Sequence, residues 1–337
     1  MGIAIFTLGA IYYAGRTDHN TKNGFLRKWT LNPLQKIAAI PTISPLNNIV
    51  GANETGIFFT DTISSRIIRA NVGFTRLDTL PITITYPGVH YSFYSMLDSS
   101  KFYTVAFNLP AIFEENINGG DYSVHRFKKP FARCVHINGN SFIVRTYDSA
   151  ISDLVFKKVN TNAPESFQIS KELTRRFGDG GLSTDGFLYY DQSSNLICYT
   201  YFYRNGFFCV DTNLNMVIQA RTIDTFTRED VLGKRFSSGK DVSFMLSSPP
   251  DILNYKGCVQ DGLLYLNSLI KSDNESPIEF ANNLTIDVYS LSTGHYLHSF
   301  HVPFLVGRKP LRFRVFNNTL IVIYSSALVK YQLTISQ

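Results

Sequence analysis

Clustered charge, paired cysteines and long helical periodicity are all missing from this sequence. Asp, Glu, Lys and Arg make up 17% of the 337 residues, and the net charge of +6 is spread along the chain in runs no longer than pairs. Nucleic-acid binding usually needs Lys and Arg clustered on one face, so no nucleic-acid partner is expected. The 27 Phe and 19 Tyr residues suit pleated, half-buried sheets, which favours an all-β protein.

No CxxC or CxxxH spacing occurs among the four cysteines, Cys134, Cys198, Cys209 and Cys258. Such spacing is typical of zinc sites, so no metal is predicted from them. Cys198 and Cys209 lie on the two arms of one predicted hairpin. If its turn is centred on Asn205-Gly206, Cys209 faces Phe202 rather than Cys198, and a disulfide between the two is not expected. We predict buried thiols that pack as small apolar side chains.

An apolar strand, a short polar turn and a second apolar strand recur six times along the chain. The clearest copies begin at Arg66, Gly206 and Ile286. Most copies are spaced by roughly 40–55 residues, the period of one four-stranded propeller blade. We therefore predict an all-β, six-bladed β-propeller, with a seven-bladed ring as the alternative. Complete blades are expected at 46–82, 89–127, 131–169, 185–222 and 255–302.

The two ends of the chain complement each other. Residues 25–40 supply two strands that have no preceding partners, and residues 311–333 supply three strands that have no fourth. Joining the ends completes the sixth blade and closes the ring, which removes exposed sheet edges. We therefore predict that N- and C-terminal strands share one blade.

The N-terminal residues contain a short, uncharged apolar run. It is too short to span a bilayer comfortably, which takes about 20 residues, but its length suits the core of a signal peptide. We interpret residues 1–16 as a signal or membrane-anchor-like segment, 17–23 as a polar linker and 24–337 as the propeller domain. The alternative is a buried first strand. The predicted location is the cell envelope, either periplasmic or membrane-anchored.

An insertion near 223–254 adds about 30 residues to the repeat, and long insertions in compact domains are often functional. We hold two alternative hypotheses for it. The insertion binds or docks a partner, or it only covers one end of the channel. In a propeller, loops between blades lie on the same face as the turns between second and third strands. We therefore expect 178–184, 203–205 and the insertion on one face.

The candidate ligand site on this looped face consists of Asp179, Asp185, Tyr203 and Arg204. Arg204 can make bidentate hydrogen bonds to a carboxylate or phosphate, with Tyr203 beside it. The alternative is an ordinary hairpin whose Arg204 is exposed to solvent. Asp179 and Asp185 flank a Gly-rich loop, but their spacing is not that of a calcium loop, and hard cations need six or more oxygens. No metal or cofactor is predicted.

Several segments carry a resemblance to a known group of proteins. These are Ser183-Thr-Asp-Gly-Phe-Leu-Tyr-Tyr-Asp, Tyr199-Thr-Tyr-Phe-Tyr-Arg-Asn, Asp211-Thr-Asn-Leu-Asn, Ile286-Asp-Val-Tyr-Ser-Leu and Leu311-Arg-Phe-Arg-Val-Phe. In them the chain resembles uncharacterised, membrane-anchored β-propeller-like proteins of Bacteroidetes-type bacteria, six-bladed and NHL- or TolB-like in architecture. The resemblance implies an exported, membrane-tethered propeller. It implies no activity and no catalytic residue.

No catalytic motif accompanies the repeat. We therefore predict a non-catalytic module that binds an envelope protein or a small ligand on its looped face. The alternative is an enzyme with its site in the central channel, such as a lyase, a hydrolase or a quinone-dependent oxidoreductase. Converging carboxylates, His or Arg at first-strand positions would favour the enzyme. A channel plugged by Phe and Leu would favour the binding module.

Overall fold

The computed structural model describes residues 22–61, 66–82, 93–120, 122–164, 167–170, 173, 177–227, 232–238 and 241–334. Within these ranges the chain forms six four-stranded antiparallel sheets and one separate two-stranded sheet. The apolar segment predicted at 1–16 lies outside the described residues, so its role as a signal or anchor stays a prediction.

Each of the first three sheets is built from four consecutive strands. Blade 1 contains β2 (Asn48–Asn53), β3 (Gly56–Thr60), β4 (Arg66–Asn71) and β5 (Leu77–Pro81). Blade 2 contains β6 (Phe93–Asp98), β7 (Lys101–Ala106), β8 (Ala111–Asn116) and β9 (Ser123–Arg126). Blade 3 contains β10 (Arg133–Asn138), β11 (Ser141–Asp148), β12 (Asp153–Asn160) and β13 (Phe167–Ser170).

The other three sheets complete the ring. Blade 4 contains β14 (Gly186–Asp191), β15 (Leu196–Tyr201), β16 (Phe207–Val210) and β17 (Met216–Ala220). Blade 5 contains β20 (Asn254–Gln260), β21 (Leu263–Ser268), β22 (Asn283–Ser290) and β23 (Tyr296–Pro303), with the short helix α1 (Pro277–Asn282) before β22. Blade 6 contains β24 (Arg312–Phe316), β25 (Thr319–Ile323), β26 (Ala327–Leu333) and the N-terminal β1 (Leu34–Pro41).

The fold is therefore a six-bladed β-propeller, as predicted, and the five complete blades match their predicted ranges to within a few residues. In every blade the first strand is innermost and contacts the first strands of both neighbouring blades. β1 pairs with β26 from Leu34 opposite Leu333 to Pro41 opposite Ala327, which confirms that the two ends of the chain share one blade.

The prediction of two N-terminal strands in that blade was wrong. Only β1 joins it. The preceding residues run beside β23, the edge strand of blade 5. Ser299 N donates to Lys28 O at 2.8 Å, and Thr30 N donates to Ser299 O at 2.9 Å. Residues 23–30 therefore form hydrogen bonds with the backbone of this edge strand. They cover the edge of blade 5, which would otherwise be exposed.

Six buried apolar clusters hold the ring together, one in each interface between neighbouring blades. Successive strand residues point to opposite sheet faces, so each blade packs against both neighbours. Edge-on aromatic pairs cross these interfaces: Phe58 meets Phe102 at a centroid distance of 5.5 Å, and Phe156 meets Tyr199 at 5.0 Å. Burial of each such side chain contributes about 1.5–3 kcal/mol. The aromatic pairs therefore stabilise the interfaces between blades.

The cysteine register also differs from the prediction. Cys209 lies directly opposite Cys198, not opposite Phe202. The reason is that residues 202–206 form a wider loop than a two-residue turn, closed by Tyr201 N donating to Gly206 O at 3.2 Å. All four cysteines are buried free thiols.

Candidate functional site

The three segments expected on the looped face do lie together. Arg204 Nε donates to Ser183 O at 3.0 Å, and Leu232 N donates to Ser183 Oγ at 2.7 Å. Asn254 Nδ2 donates to Arg204 O at 3.0 Å. The linker between blades 3 and 4, the turn of blade 4 and the insertion are therefore one hydrogen-bonded unit.

Two of the four predicted ligand residues are buried inside this unit. Arg204 is 7% exposed, and its guanidinium carbon lies 4.3 Å from the centroid of the Phe177 ring. Asp179 is 1% exposed and accepts hydrogen bonds from Ser183 N at 2.8 Å, from Ser183 Oγ and from Gly181 N at 3.2 Å. Their polar groups are engaged within the protein, and their role in ligand binding stays a prediction.

The other two predicted ligand residues lie close to the start of blade 4. The Asp185 carboxylate accepts from Arg133 Nη2 at 3.0 Å and from Arg145 Nη1 at 3.3 Å. Tyr203 is half-buried, and burial raises the pKa of its hydroxyl. The single Asp185 carboxylate is therefore shared by two arginines. Its role in ligand binding is likewise untested.

The insertion folds into a hairpin of β18 (Gly233–Ser238) and β19 (Asp241–Leu246). The Phe244 ring packs directly on Gly180, leaving no space for a Cβ atom there, and lies 6.0 Å from the Tyr147 ring. Gly180 also has a φ of +69°, which L side chains rarely adopt. The hairpin therefore covers the Gly-rich loop, and the choice between a docking role and a covering role for the insertion stays a prediction.

The central channel of the described structure is a cavity with a volume of about 1780 Å³. Residues of the innermost strand of every blade line it. Pockets that hold drug-sized ligands measure roughly 300–1,000 Å³, so this cavity can take a ligand together with water. In the part of the chain that the structure describes, Phe and Leu side chains line this cavity without filling it.

Charge is unevenly distributed along the channel. Acidic side chains lie where the innermost strands end, at Asp98, Asp191 and Asp261. Basic side chains lie towards the beginnings of these strands, at the positions Arg133, Lys256, Arg312 and Arg314. Arg133 has a carboxylate partner, Asp185, which it shares with Arg145. The other three cations belong to the neighbouring blades 5 and 6, and we call them the basic wall.

The polar partners of the basic wall are backbone carbonyls. Lys256 Nζ and Arg312 Nη1 donate to the same oxygen, Leu311 O, at 3.0 and 2.8 Å. Arg314 Nη1 donates to Val50 O at 3.2 Å. Within the described ranges no carboxylate forms an ion pair with any of the three cations. Three positive charges therefore share one stretch of wall, and no described carboxylate pairs with them.

Burial lowers the pKa of both guanidiniums of the basic wall. For Arg312 the neighbouring Tyr255 and Tyr189 act in the opposite direction but do not offset burial, and for Arg314 Cys258 has the same small effect. Arginine nevertheless stays protonated in proteins. A desolvated cation without an anionic partner is costly, and a carboxylate or phosphate would lower that cost through charge-assisted hydrogen bonds.

Sequence reasoning missed the basic wall, although a signal was present. Arg312 and Arg314 alternate with Phe313 and Val315 in the first strand of a blade. In a closed ring the first strand faces the channel, so charged residues there must either be paired or line the cavity. The described residues contain no group of three or more His, Cys, Asp or Glu side chains arranged to hold a metal ion. None of the described helices has the length and apolarity to cross a membrane.

Neither the known protein-family models nor the curated proteins match this sequence. Solved structures of similar fold do exist. A member of the DUF4221 family from Bacteroides vulgatus is similar with a TM-score of 0.57 and 11% identity, covering 91% of this chain and all of its own. A streptogramin B lyase is similar with a TM-score of 0.50 and 10% identity, covering 88% of this chain and 98% of its own. At this identity the likeness shows the propeller fold alone.

Proposed function

We propose that this protein is a non-catalytic binding module that takes a small anionic ligand into its central channel. The observation that carries the proposal is the basic wall: Lys256, Arg312 and Arg314 line the cavity and have only backbone carbonyls as polar partners. A ligand carboxylate or phosphate supplies the missing negative charge. Arg312 and Arg314 are suited to this because a planar guanidinium can hold two oxygens at once.

The convergence of two cations on Leu311 O locates the contact point. Lys256 and Arg312 reach the same carbonyl from two different blades, so their charged ends are held close together. Like charges at such short range repel, and a bound anion between them turns that repulsion into attraction. The ligand is therefore expected to be held at the boundary of blades 5 and 6.

Catalysis in the same channel is the second candidate function. Arg133, Arg314 and His136 occupy first-strand positions in the channel wall, which is the pattern expected of an enzyme. One protein of similar fold is named a streptogramin B lyase. General acid–base chemistry, however, needs a titratable group within hydrogen-bond reach of the bound substrate. Next to the basic wall the described polar contacts are to backbone, which favours binding over turnover.

The cell envelope is the proposed location, on the strength of the apolar run within residues 1–16 and of the resemblance to envelope propellers. An envelope protein is the alternative partner. Phe236 and Met245 on the insertion hairpin are 49% and 61% exposed and offer it an apolar contact. Fractionation of cells producing the full chain tests the location directly: recovery in the cytosol alone would refute it.

The binding proposal is tested by titrating the full chain with citrate, glucuronate and inorganic phosphate in a calorimeter at low salt. We expect at least one of these anions to bind. A charge-assisted hydrogen bond contributes about 1.5–3 kcal/mol, so the variant Arg312→Gln is expected to bind roughly 10- to 100-fold more weakly. The ligand is then recovered and analysed, since a changed ligand would establish the enzyme instead.

Lys36→Gln is the matched control, because it removes one positive charge from the exposed outer strand β1 of the same blade. Equal affinities for Lys36→Gln and the wild type are expected. If Arg312→Gln also binds as the wild type does, the basic wall is not the site. If none of the three anions binds, the anionic ligand class is wrong.

A further inference from the structure

Two of the four thiols face each other across one hairpin of blade 4. Cys198 on β15 and Cys209 on β16 are directly opposite in the sheet register. Both are fully buried and belong to the apolar cluster between blades 4 and 5. Their side chains therefore leave the same face of the sheet and pack into the same interface.

The hydrogen-bond pattern shows which kind of pair they form. In an antiparallel ladder, hydrogen-bonded and non-hydrogen-bonded residue pairs alternate. Tyr201 N donates to Gly206 O at 3.2 Å, so Tyr201 and Gly206 form a hydrogen-bonded pair. Three steps along the ladder, Cys198 and Cys209 are a non-hydrogen-bonded pair, in which the side chains are closest.

Such a pair has the separation that a disulfide requires. Opposite residues of a non-hydrogen-bonded pair have Cα atoms about 4.5 Å apart and Cβ atoms about 4.5–5.5 Å apart. Disulfides occur at Cα separations of roughly 4.4–6.8 Å and Cβ separations of roughly 3.5–4.5 Å. A disulfide therefore requires the two Cβ atoms to lie about 4.5 Å apart, at the short end of the range for such a pair. It requires no change in the strand register.

We propose that Cys198 and Cys209 are a redox modification site at which a disulfide forms when the protein meets a disulfide-bearing oxidant, such as oxidised glutathione. One cysteine, as its thiolate, attacks the oxidant's S–S bond, releasing one thiol and leaving a mixed disulfide on the protein. The other cysteine then attacks the protein sulfur and releases the second thiol. The pair is oxidised by two electrons, and the oxidant is reduced to two thiols, which take up the two protons.

The native packing sets when this reaction takes place. Burial raises the pKa of the Cys198 thiol well above its usual range, and water does not reach either sulfur in the folded protein. The thiolate is the reacting form, so exchange proceeds before blade 4 packs on blade 5, or when that interface opens. In a reducing compartment both sulfurs stay thiols, whereas after export the bond forms during folding.

The test is to produce the full chain in two ways, in a reducing cytosol and with export to an oxidising periplasm. Each preparation is alkylated in denaturant, digested and analysed by mass spectrometry. In the exported chain we expect the peptides that contain Cys198 and Cys209 to be linked, with a mass lower by two hydrogens than the sum of the free peptides. If the exported chain shows both residues alkylated, or linked to other cysteines, the proposal is wrong.

A second measurement does not depend on export. The cytosolic protein is incubated with oxidised glutathione at urea concentrations below and within its unfolding transition, and the same peptides are followed. Linkage is expected to rise as blade 4 opens, and Cys198→Ser is expected to abolish it. Cys134→Ala and Cys258→Ala are the matched controls, because these buried thiols lie on the innermost strands of blades 3 and 5, away from the pair. Loss of linkage in these controls would contradict the assignment.

Discussion

Two regions beside blades 5 and 6 each hold an arginine, one buried and one half-buried, and they treat its charge in opposite ways. Arg27, in the segment that covers the edge of blade 5, is 3% exposed. Its Nε donates to Asp287 Oδ1 at 2.7 Å, and its Nη1 donates to Glu275 Oε2 at 3.0 Å. Arg314, in the channel, donates from Nη1 to two backbone carbonyls, Val50 O at 3.2 Å and Ile49 O at 3.5 Å. Arg27 is paired with two carboxylates, whereas no carboxylate in the described ranges pairs with Arg314.

The pKa directions follow this difference. Burial by itself lowers the pKa of Arg27, but Asp287 and then Glu275 outweigh it, so that the net pKa is raised. For Arg314 burial lowers the pKa and no carboxylate opposes it. A buried charge that is paired with opposite charges in the protein helps to hold the structure together. A desolvated charge that has no such partner can instead interact with a ligand. The comparison therefore separates a structural arginine from the one that we propose binds the ligand.

The largest effect on stability is expected when the channel arginines are removed together with the strands that carry them. Deletion of residues 311–337 takes away β24, β25 and β26, together with Arg312 and Arg314. β1 then has no partner, and the apolar clusters that blade 6 shares with blades 5 and 1 become exposed. We expect no soluble monomer. A monomeric truncation that melts cooperatively, seen by size-exclusion chromatography and calorimetry, would contradict ring closure.

The next effect is at the paired arginine. Arg27→Met leaves the buried carboxylates of Glu275 and Asp287 without their cation. Breaking a buried pair on one side typically costs about 3–5 kcal/mol, so we expect the free energy of unfolding in urea to fall by about that amount. Lys101→Met is the control, since Lys101 is half-exposed in its pair with Glu114, and such surface pairs contribute about 0–1 kcal/mol. Equal losses in the two variants would show that Arg27 has no special structural role.

The architecture was predictable because its signals are local and repeated. The strand pattern and the unmatched strands at the two ends together predicted six blades and a shared one. The segment around Arg27 was misassigned because its apolar residues read as a strand of blade 6. The segment is held on blade 5 by long-range contacts such as the one between Arg27 and Asp287. No local sequence pattern reveals such a contact.

The candidate site was less predictable, for a different reason. Arg204 looked accessible because it stands in a hairpin turn, yet the insertion and the preceding linker bury it. Burial of a turn by other segments is a tertiary property, as is the wider loop at 202–206 that places Cys198 opposite Cys209. The basic wall is likewise assembled from two blades, so its lack of carboxylates becomes visible only when the ring is closed.

The smallest change in stability is expected at Arg314. This variant tests the difference between the two arginines most directly. Arg314→Gln removes a half-buried charge, together with the hydrogen bond to Val50 O, and keeps a polar amide at this position. The lost hydrogen-bond strength and the relieved desolvation oppose each other, so the free energy of unfolding without ligand should stay within about 1 kcal/mol of the wild type. Urea unfolding of Arg314→Gln beside Arg27→Met measures this directly. A loss for Arg314→Gln as large as that for Arg27→Met would make the basic wall a structural feature. Unchanged stability together with weakened anion binding would separate function from folding at this position.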